Sequence, residues 1–228
     1  MDQQELITRL LDKEFVMFHA VNGDGEKADC QNDRQTFDMM RRAQFSAWSM
    51  EACESYYQDI LNAEETGRNL CAEKYIHMMK NTAILQYDKL KELVTFPDER
   101  GSELVELING KMIRQTEALF MRYPYVSGAG RPLYSSEDLG GTTSIETYQR
   151  GELMTYSTRT LELLYQHLCA LEAKGISLAE KIREGSVCSY GYASLEEAEA
   201  ETKKRAEAMG IEISYGCTRC EQQLPAED

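Results

Sequence analysis

Gly151-Glu-Leu-Met-Thr-Tyr-Ser-Thr-Arg-Thr-Leu-Glu-Leu-Leu164 decides how this chain is read, because it combines the spacing of a core helix with a polar centre. Leu153, Ser157, Leu161, Leu164, Leu168 and Leu171 recur every three or four residues, the mark of one buried helix face. Glu152, Thr155, Tyr156 and Arg159 repeat at the same offsets along its edge, and side chains at those offsets touch on a helix surface. Thr-Tyr-Ser-Thr is a poor choice for a helix interior, since hydroxyl and β-branched side chains compete with or crowd the backbone. Two explanations stand open. One is a partly solvated helix side carrying an Arg–Glu pair; the other is one wall of a polar pocket.

Working outward, Thr143 and Glu146 have the spacing of a capping box at the start of this helix. Gly140 and Gly141 before them leave backbone N–H groups open to an anion, or simply end a loop ahead of a capped helix. The loop itself, residues 123–144, is the longest irregular stretch, and such loops are often functional. Within it Gly128 and Gly130 permit close backbone approach, and Arg131 is a ready anion contact. Neither a phosphate-binding P-loop nor a dinucleotide-binding Gly-x-Gly-x-x-Gly pattern is present.

The remainder reads as further helices. Residues 3–21 carry an apolar stripe of Ile7, Leu10, Leu11, Phe15, Phe18 and Val21, with Glu14 falling on it. A carboxylate there has to be paired or protonated. The next helix runs from near Asp33 to Ala63, and Arg41 and Gln44 share its inner face with Phe37, Phe45 and Trp48. If these two helices are antiparallel neighbours, Arg41 is the natural partner of Glu14, either in a site or as an ion pair that fixes helix register. Helical spacing resumes over residues 68–94 until Pro97, and again over 101–122. Beyond Gly175 a short helix over 177–183 is followed by a change of texture. Residues 187–192 and 211–215 have the look of short strands around a helix at 195–209. The expected fold is therefore mainly α: an irregular bundle of about five long helices with a small C-terminal α/β or helical appendage. The corresponding organisation is a bundle domain over 1–185, an appendage over 186–216 and an acidic tail over 217–228.

Composition narrows the function. A formal charge of −14 over 228 residues argues against nucleic acid and anionic membrane surfaces as partners, since both need clustered Lys and Arg. No apolar run approaches the roughly 20 residues of a membrane span. No basic-then-apolar leader opens the chain, so a cytoplasmic setting is expected, and seven irregularly spaced cysteines fit reduced thiols there. Three histidines on separate helices, with no Glu-x-x-His, give little basis for a histidine metal site. Cys217 and Cys220 form a lone Cys-x-x-Cys with Cys188 as the nearest third thiol. Zinc, redox chemistry and incidental thiols all remain open for it, and no cofactor is expected.

Glu14-Phe-Val-Met-Phe-His-Ala-Val-Asn22, Cys30-Gln-Asn-Asp with Thr36-Phe-Asp-Met-Met-Arg-Arg-Ala-Gln-Phe-Ser-Ala-Trp48, and Glu146-Thr-Tyr-Gln-Arg-Gly-Glu-Leu-Met-Thr-Tyr-Ser157 resemble a bacterial family catalogued as domain of unknown function 4125. The resemblance covers most of residues 1–175 and implies a bacterial, cytoplasmic protein; it implies no activity. From the residues themselves comes a sharper expectation: Glu14, Arg41 and Gln44 face Glu152, Tyr156 and Arg159 across the bundle, under the loop that carries Arg131 and Thr143. Glu152, Tyr156 and Glu14 would then be the acid–base groups, and the guanidinium groups would hold a small polar or anionic metabolite. The rival expectation is a non-catalytic helical interaction or regulatory module in which the same clusters only fix register.

Overall fold

The computed structural model describes residues 1–21, 29–128, 130–138 and 142–211, and these form eleven α-helices with no strand among them. They are α1 (Gln3–His19), α2 (Arg34–Ala47), α3 (Met50–Glu65), α4 (Leu70–Thr82), α5 (Ile84–Leu90), α6 (Glu99–Arg122), α7 (Pro124–Gly128), α8 (Ile145–Leu153), α9 (Thr158–Glu172), α10 (Leu178–Ser189) and α11 (Leu195–Ala208).

Three of the expected long helices are each two helices. The run over 33–63 breaks at Trp48 and Ser49, where the Ser49 side chain accepts from the Ala52 N–H and starts α3. The run over 68–94 breaks at Ala83, whose backbone leaves the helical region (φ −155°, ψ 64°). The decisive stretch 151–164 breaks as well. Ser157 takes an extended ψ of 152° and its hydroxyl accepts from the Thr160 N–H, so it caps α9 where a continuous helix would have buried it in its interior. Hydroxyl side chains that suit a helix interior poorly suit a cap well, at about 1 kcal/mol each. Ser144, not Thr143, caps α8, accepting from the Thr147 N–H. Asp2, Asp33, Asn69, Asp98, Ser177 and Ser194 do the same for their own helices.

One hydrophobic core joins α1, α2, α3, α6 and α9 through Leu6, Ile7, Leu10, Phe45, Ile60, Leu104, Ile108, Leu161 and Leu168, all essentially solvent-free. Burying side chains of this size gives roughly 1.5–3 kcal/mol each. The helix α10 extends to Ser189, six residues past its expected end, so residues 187–189 are helical and the strand expected over 187–192 is absent. A turn at Gly191 (φ 93°) follows it. Val187 packs with Leu195 and Ala198 of α11 against Leu119 and Tyr123, forming a second, smaller core on the end of α6. The C-terminal part is therefore helical over 178–189 and 195–208 of its described residues, and these pack on the bundle. The strand expected at 211–215, and Cys217 and Cys220, lie outside the described residues apart from Ile211.

Candidate functional site

Glu14 sits on α1 one turn beyond the buried Leu10 and Leu11, so helical geometry carries its carboxylate into the core. There it meets Arg41 of α2. Arg41 Nε donates to Glu14 Oε2 at 2.7 Å and Nη2 to Oε1 at 2.5 Å, a bidentate pair. The third nitrogen, Nη1, donates to Gln44 Oε1 at 2.6 Å and to Glu152 Oε1 at 2.8 Å. Gln44 Nε2 also donates to Glu152 Oε1, at 3.0 Å. Glu14, Arg41, Gln44 and Glu152, drawn from three helices, thus form one buried lattice.

Two tyrosines close it. Tyr56 of α3 donates to Glu14 Oε1 at 2.8 Å and Tyr156 donates to Glu152 Oε1 at 2.6 Å. Their rings lie 4.8 Å apart and share a box with Trp48 and Phe45. Lys74 of α4 lies 3.5 Å from Glu152 Oε2, donates to the Tyr148 hydroxyl at 2.7 Å and sits over that ring. Two carboxylates and two cations leave the lattice neutral. Among the described residues, the buried side-chain atoms without a partner belong to His77, Asn109 and Ser127, none of them in the lattice.

Burial opposes every charge here, and the partners override it. Desolvation works against the Arg41 guanidinium, but Glu14 and Glu152 hold it charged well above its ordinary range. Desolvation likewise works against Glu152, but Arg41, Lys74 and the Tyr156 hydroxyl hold its carboxyl far below the usual range. Burial and then the Glu152 charge push the Tyr156 phenol well up, and burial and Glu14 do the same to Tyr56. Glu152 is accordingly a weak base and Tyr156 a weak acid.

Arg159 is not part of this assembly. The break at residues 155–157 turns it away from Glu152, leaving its side chain 67% exposed, 3.9 Å from Glu162. Arg131 and Thr143 are joined to one another, Arg131 Nη1 donating to the Thr143 carbonyl at 3.0 Å. Arg131 lies over the Tyr148 ring, which places it at the outer end of the chain Tyr148–Lys74–Glu152. Cys188 is exposed, and among the described residues no group of three or more His, Cys, Asp or Glu is arranged to hold a metal ion.

The connector between α8 and α9 forms one wall of a cleft of about 260 Å³. Residues 154–158 line it together with Asp59 and Asn62 of α3, Arg68 and Leu70 at the start of α4, and residues 95–98 ahead of α6. Tyr156 belongs to both places, since it lines the cleft and bonds to Glu152 beneath it. Asp59 Oδ2 accepts from the Ser157 N–H at 3.0 Å and from Thr160 Oγ1 at 2.7 Å. Desolvation raises the pKa of Asp59, although those bonds and Arg68 act in the other direction. Arg68 grips the buried Glu73 through Nε and Nη2, at 2.8 and 2.7 Å, and also bonds to Thr95. Asp98 accepts from the Gly101 N–H and from Thr158 Oγ1, pinning the α9 start to the α6 start.

Sequence reasoning found Glu14, Arg41, Gln44, Glu152 and Tyr156, and missed Tyr56, Lys74 and the whole cleft. Lys74 carried a usable signal, since it stands among Leu70, Cys71 and Met78 on α4. The cleft carried none, because it forms where the ends of separate helices meet.

No curated protein and no solved structure gives a significant match to this chain. The family described as Protein of unknown function (DUF4125) matches residues 4–200, beyond the 1–175 of the resemblance and into α11. With that match spanning the lattice, the connector and the cleft alike, the chain belongs to this family.

Proposed function

We propose that the chain binds a small polar metabolite in the cleft at the α8–α9 connector, and that the buried lattice is the rigid floor of that site. The observation that carries this reading is the shared residue Tyr156, which ties a buried, neutral ionic core to an open polar cleft. Arg41 spends four of its five N–H groups on Glu14, Gln44 and Glu152 and is buried among them, so it offers little to an anion. The reading therefore moves ligand contact from Arg41 and Gln44 to Asp59, Arg68 and the connector. It gives Glu14, Glu152 and Tyr156 the work of support, in place of proton transfer. Asp59, with its raised pKa and its place on the cleft, is the group suited to acid–base work. At about 260 Å³ the cleft lies at the small end of ligand pockets, which suits a small metabolite.

Thermal denaturation of the full chain against a library of small polar metabolites tests this. A ligand at about 100 times its Kd adds about 2.7 kcal/mol, a rise of roughly 5–10 °C in a chain of this size. The Asn62→Phe variant, which fills the exposed rim, should keep the unliganded midpoint and lose the rise. A rise that survives N62F would place the ligand elsewhere.

A second reading, a helical interaction module, draws on Ile84, Leu85, Leu93 and Phe96, which are all more than half exposed within a 13-residue segment. It would be favoured by a chain that self-associates or is stabilised only by a protein partner, with no response to small molecules.

A further inference from the structure

Two opposite charges face the cleft without meeting. Asp59 and Arg68 each feel the other's charge, yet the close contacts of each are made elsewhere. The bonds Asp59 accepts from the Ser157 N–H and from Thr160 Oγ1 both fall on Oδ2, which leaves Oδ1 as the oxygen for a ligand, beside the Ser157 hydroxyl. Arg68 uses Nε and Nη2 on Glu73 and Thr95, which leaves Nη1 as its donor. Both residues line the cleft, and its walls also include the apolar Leu70, Met154 and half-exposed Phe96. A ligand with a single charge would satisfy one of these groups and leave the other unpaired. One that carries both charges on groups attached to a single carbon completes the pair, and its apolar substituent can pack on the remaining wall.

Resting on the cleft reading above, we infer that the ligand class is a free α-amino acid with an apolar side chain, its ammonium on Asp59 Oδ1 and its carboxylate on Arg68 Nη1. The pairing also accounts for Asp59 being partly desolvated without a cation in contact, since the ligand supplies that cation.

Calorimetric titration of the full chain with leucine, methionine and phenylalanine tests the assignment. Phenylalaninamide, N-acetylphenylalanine and phenethylamine serve as probes lacking one charge, and a panel of polyols and dicarboxylic acids as probes of other classes. At least one free amino acid should bind, and its amide and N-acetyl forms should bind at least tenfold more weakly. The Asp59→Asn variant keeps an acceptor for Ser157 and Thr160, so it should fold and still lose tenfold or more for the free amino acid. Arg68→Lys, checked for fold by circular dichroism, should do the same from the carboxylate side. Equal binding of the amide, N-acetyl and free forms would overturn the inference. So would binding of polyols or dicarboxylates in place of amino acids, an outcome that leaves the cleft reading intact. No binding by any class would remove both.

Discussion

The buried lattice and the cleft are built from the same materials, carboxylates, guanidinium groups and hydroxyls, and they differ in burial and in whether opposite charges are in contact. In the lattice Arg41 bonds through all three nitrogens and Glu152 is approached by Arg41, Gln44, Tyr156 and Lys74. In the cleft Asp59 and Arg68 each keep an atom in reserve. A network paired this closely and buried this deeply offers little to a ligand and has a great deal to lose when cut. The contrast teaches that burial and perturbed ionisation do not by themselves mark an active site, because structural ion networks show both.

The largest effect is expected from cutting the lattice. Arg41→Met leaves Glu14 and Glu152 buried without their shared cation, and removal of one member of a buried pair costs about 3–5 kcal/mol. Urea denaturation of the variant should show most of a typical domain's stability gone. A loss below about 1 kcal/mol would mean that the lattice is wet or loosely formed.

Next comes the seam that holds α8 against α4. A Cβ on Gly151 would stand 2.7 Å from Met78 Cγ and 3.0 Å from the Lys74 carbonyl oxygen, so the helices must part. Gly151→Ala should cost about 1–3 kcal/mol as overpacking. Because Lys74 and Glu152 sit on the two helices being separated, the same variant should weaken their contact. A double-mutant cycle with Lys74→Met reads that as non-additivity.

Smaller effects belong to the connector. Ser157→Ala removes the α9 cap and should cost about 1 kcal/mol by thermal denaturation. Arg159→Ala, two positions on, should change stability by no more than about 0.5 kcal/mol, since its exposed side chain makes one long contact.

The smallest effect separates the two regions by sign. Glu152 has a folded pKa below its unfolded value, so it stabilises above the ordinary carboxylate range and loses that contribution as pH falls. Asp59 has a folded pKa above its unfolded value, so its charge opposes folding at neutral pH, and this opposition fades as pH falls through the folded value. Asp59→Asn should therefore equal or slightly exceed the parent in stability at pH 7, and the two should converge in acid. Divergence in acid would reverse the assignment.

Much of the lattice was readable in the sequence, for a physical reason. A charged residue on or beside an apolar helical stripe has to find a partner; Glu14 and Arg41 stand on one and Glu152 at the edge of one. Lys74 is equally buried, and its neighbours Leu70, Cys71 and Met78 were a signal, but a lone lysine on a mixed helix is so often solvated that the signal was easily passed over. The helix breaks were hidden because serine at a core-periodic position fits two geometries. Ser157 looks like a small interior residue and acts as a cap, and the choice between them is made by Asp59 and Thr160, which are distant in sequence or across the turn. That single misreading carried Arg159 into the wrong cluster. The mainly helical class was clear from periodicity, whereas the strand expected at 187–192 rested on β-branched and aromatic composition alone, and packing of Val187 against α11 decided for helix.

The central claim, a closed floor beneath an open cleft, is tested most directly by the arginine side-chain Nε–H resonances. They would be recorded for the full chain with and without the small molecule that gives the largest thermal shift. The account expects the Arg41 resonance to exchange slowly with water and to stay in place at saturation, while that of Arg68 moves. An Arg41 resonance that exchanges rapidly, or that shifts on binding while Arg68 does not, would contradict it and return the site to the lattice.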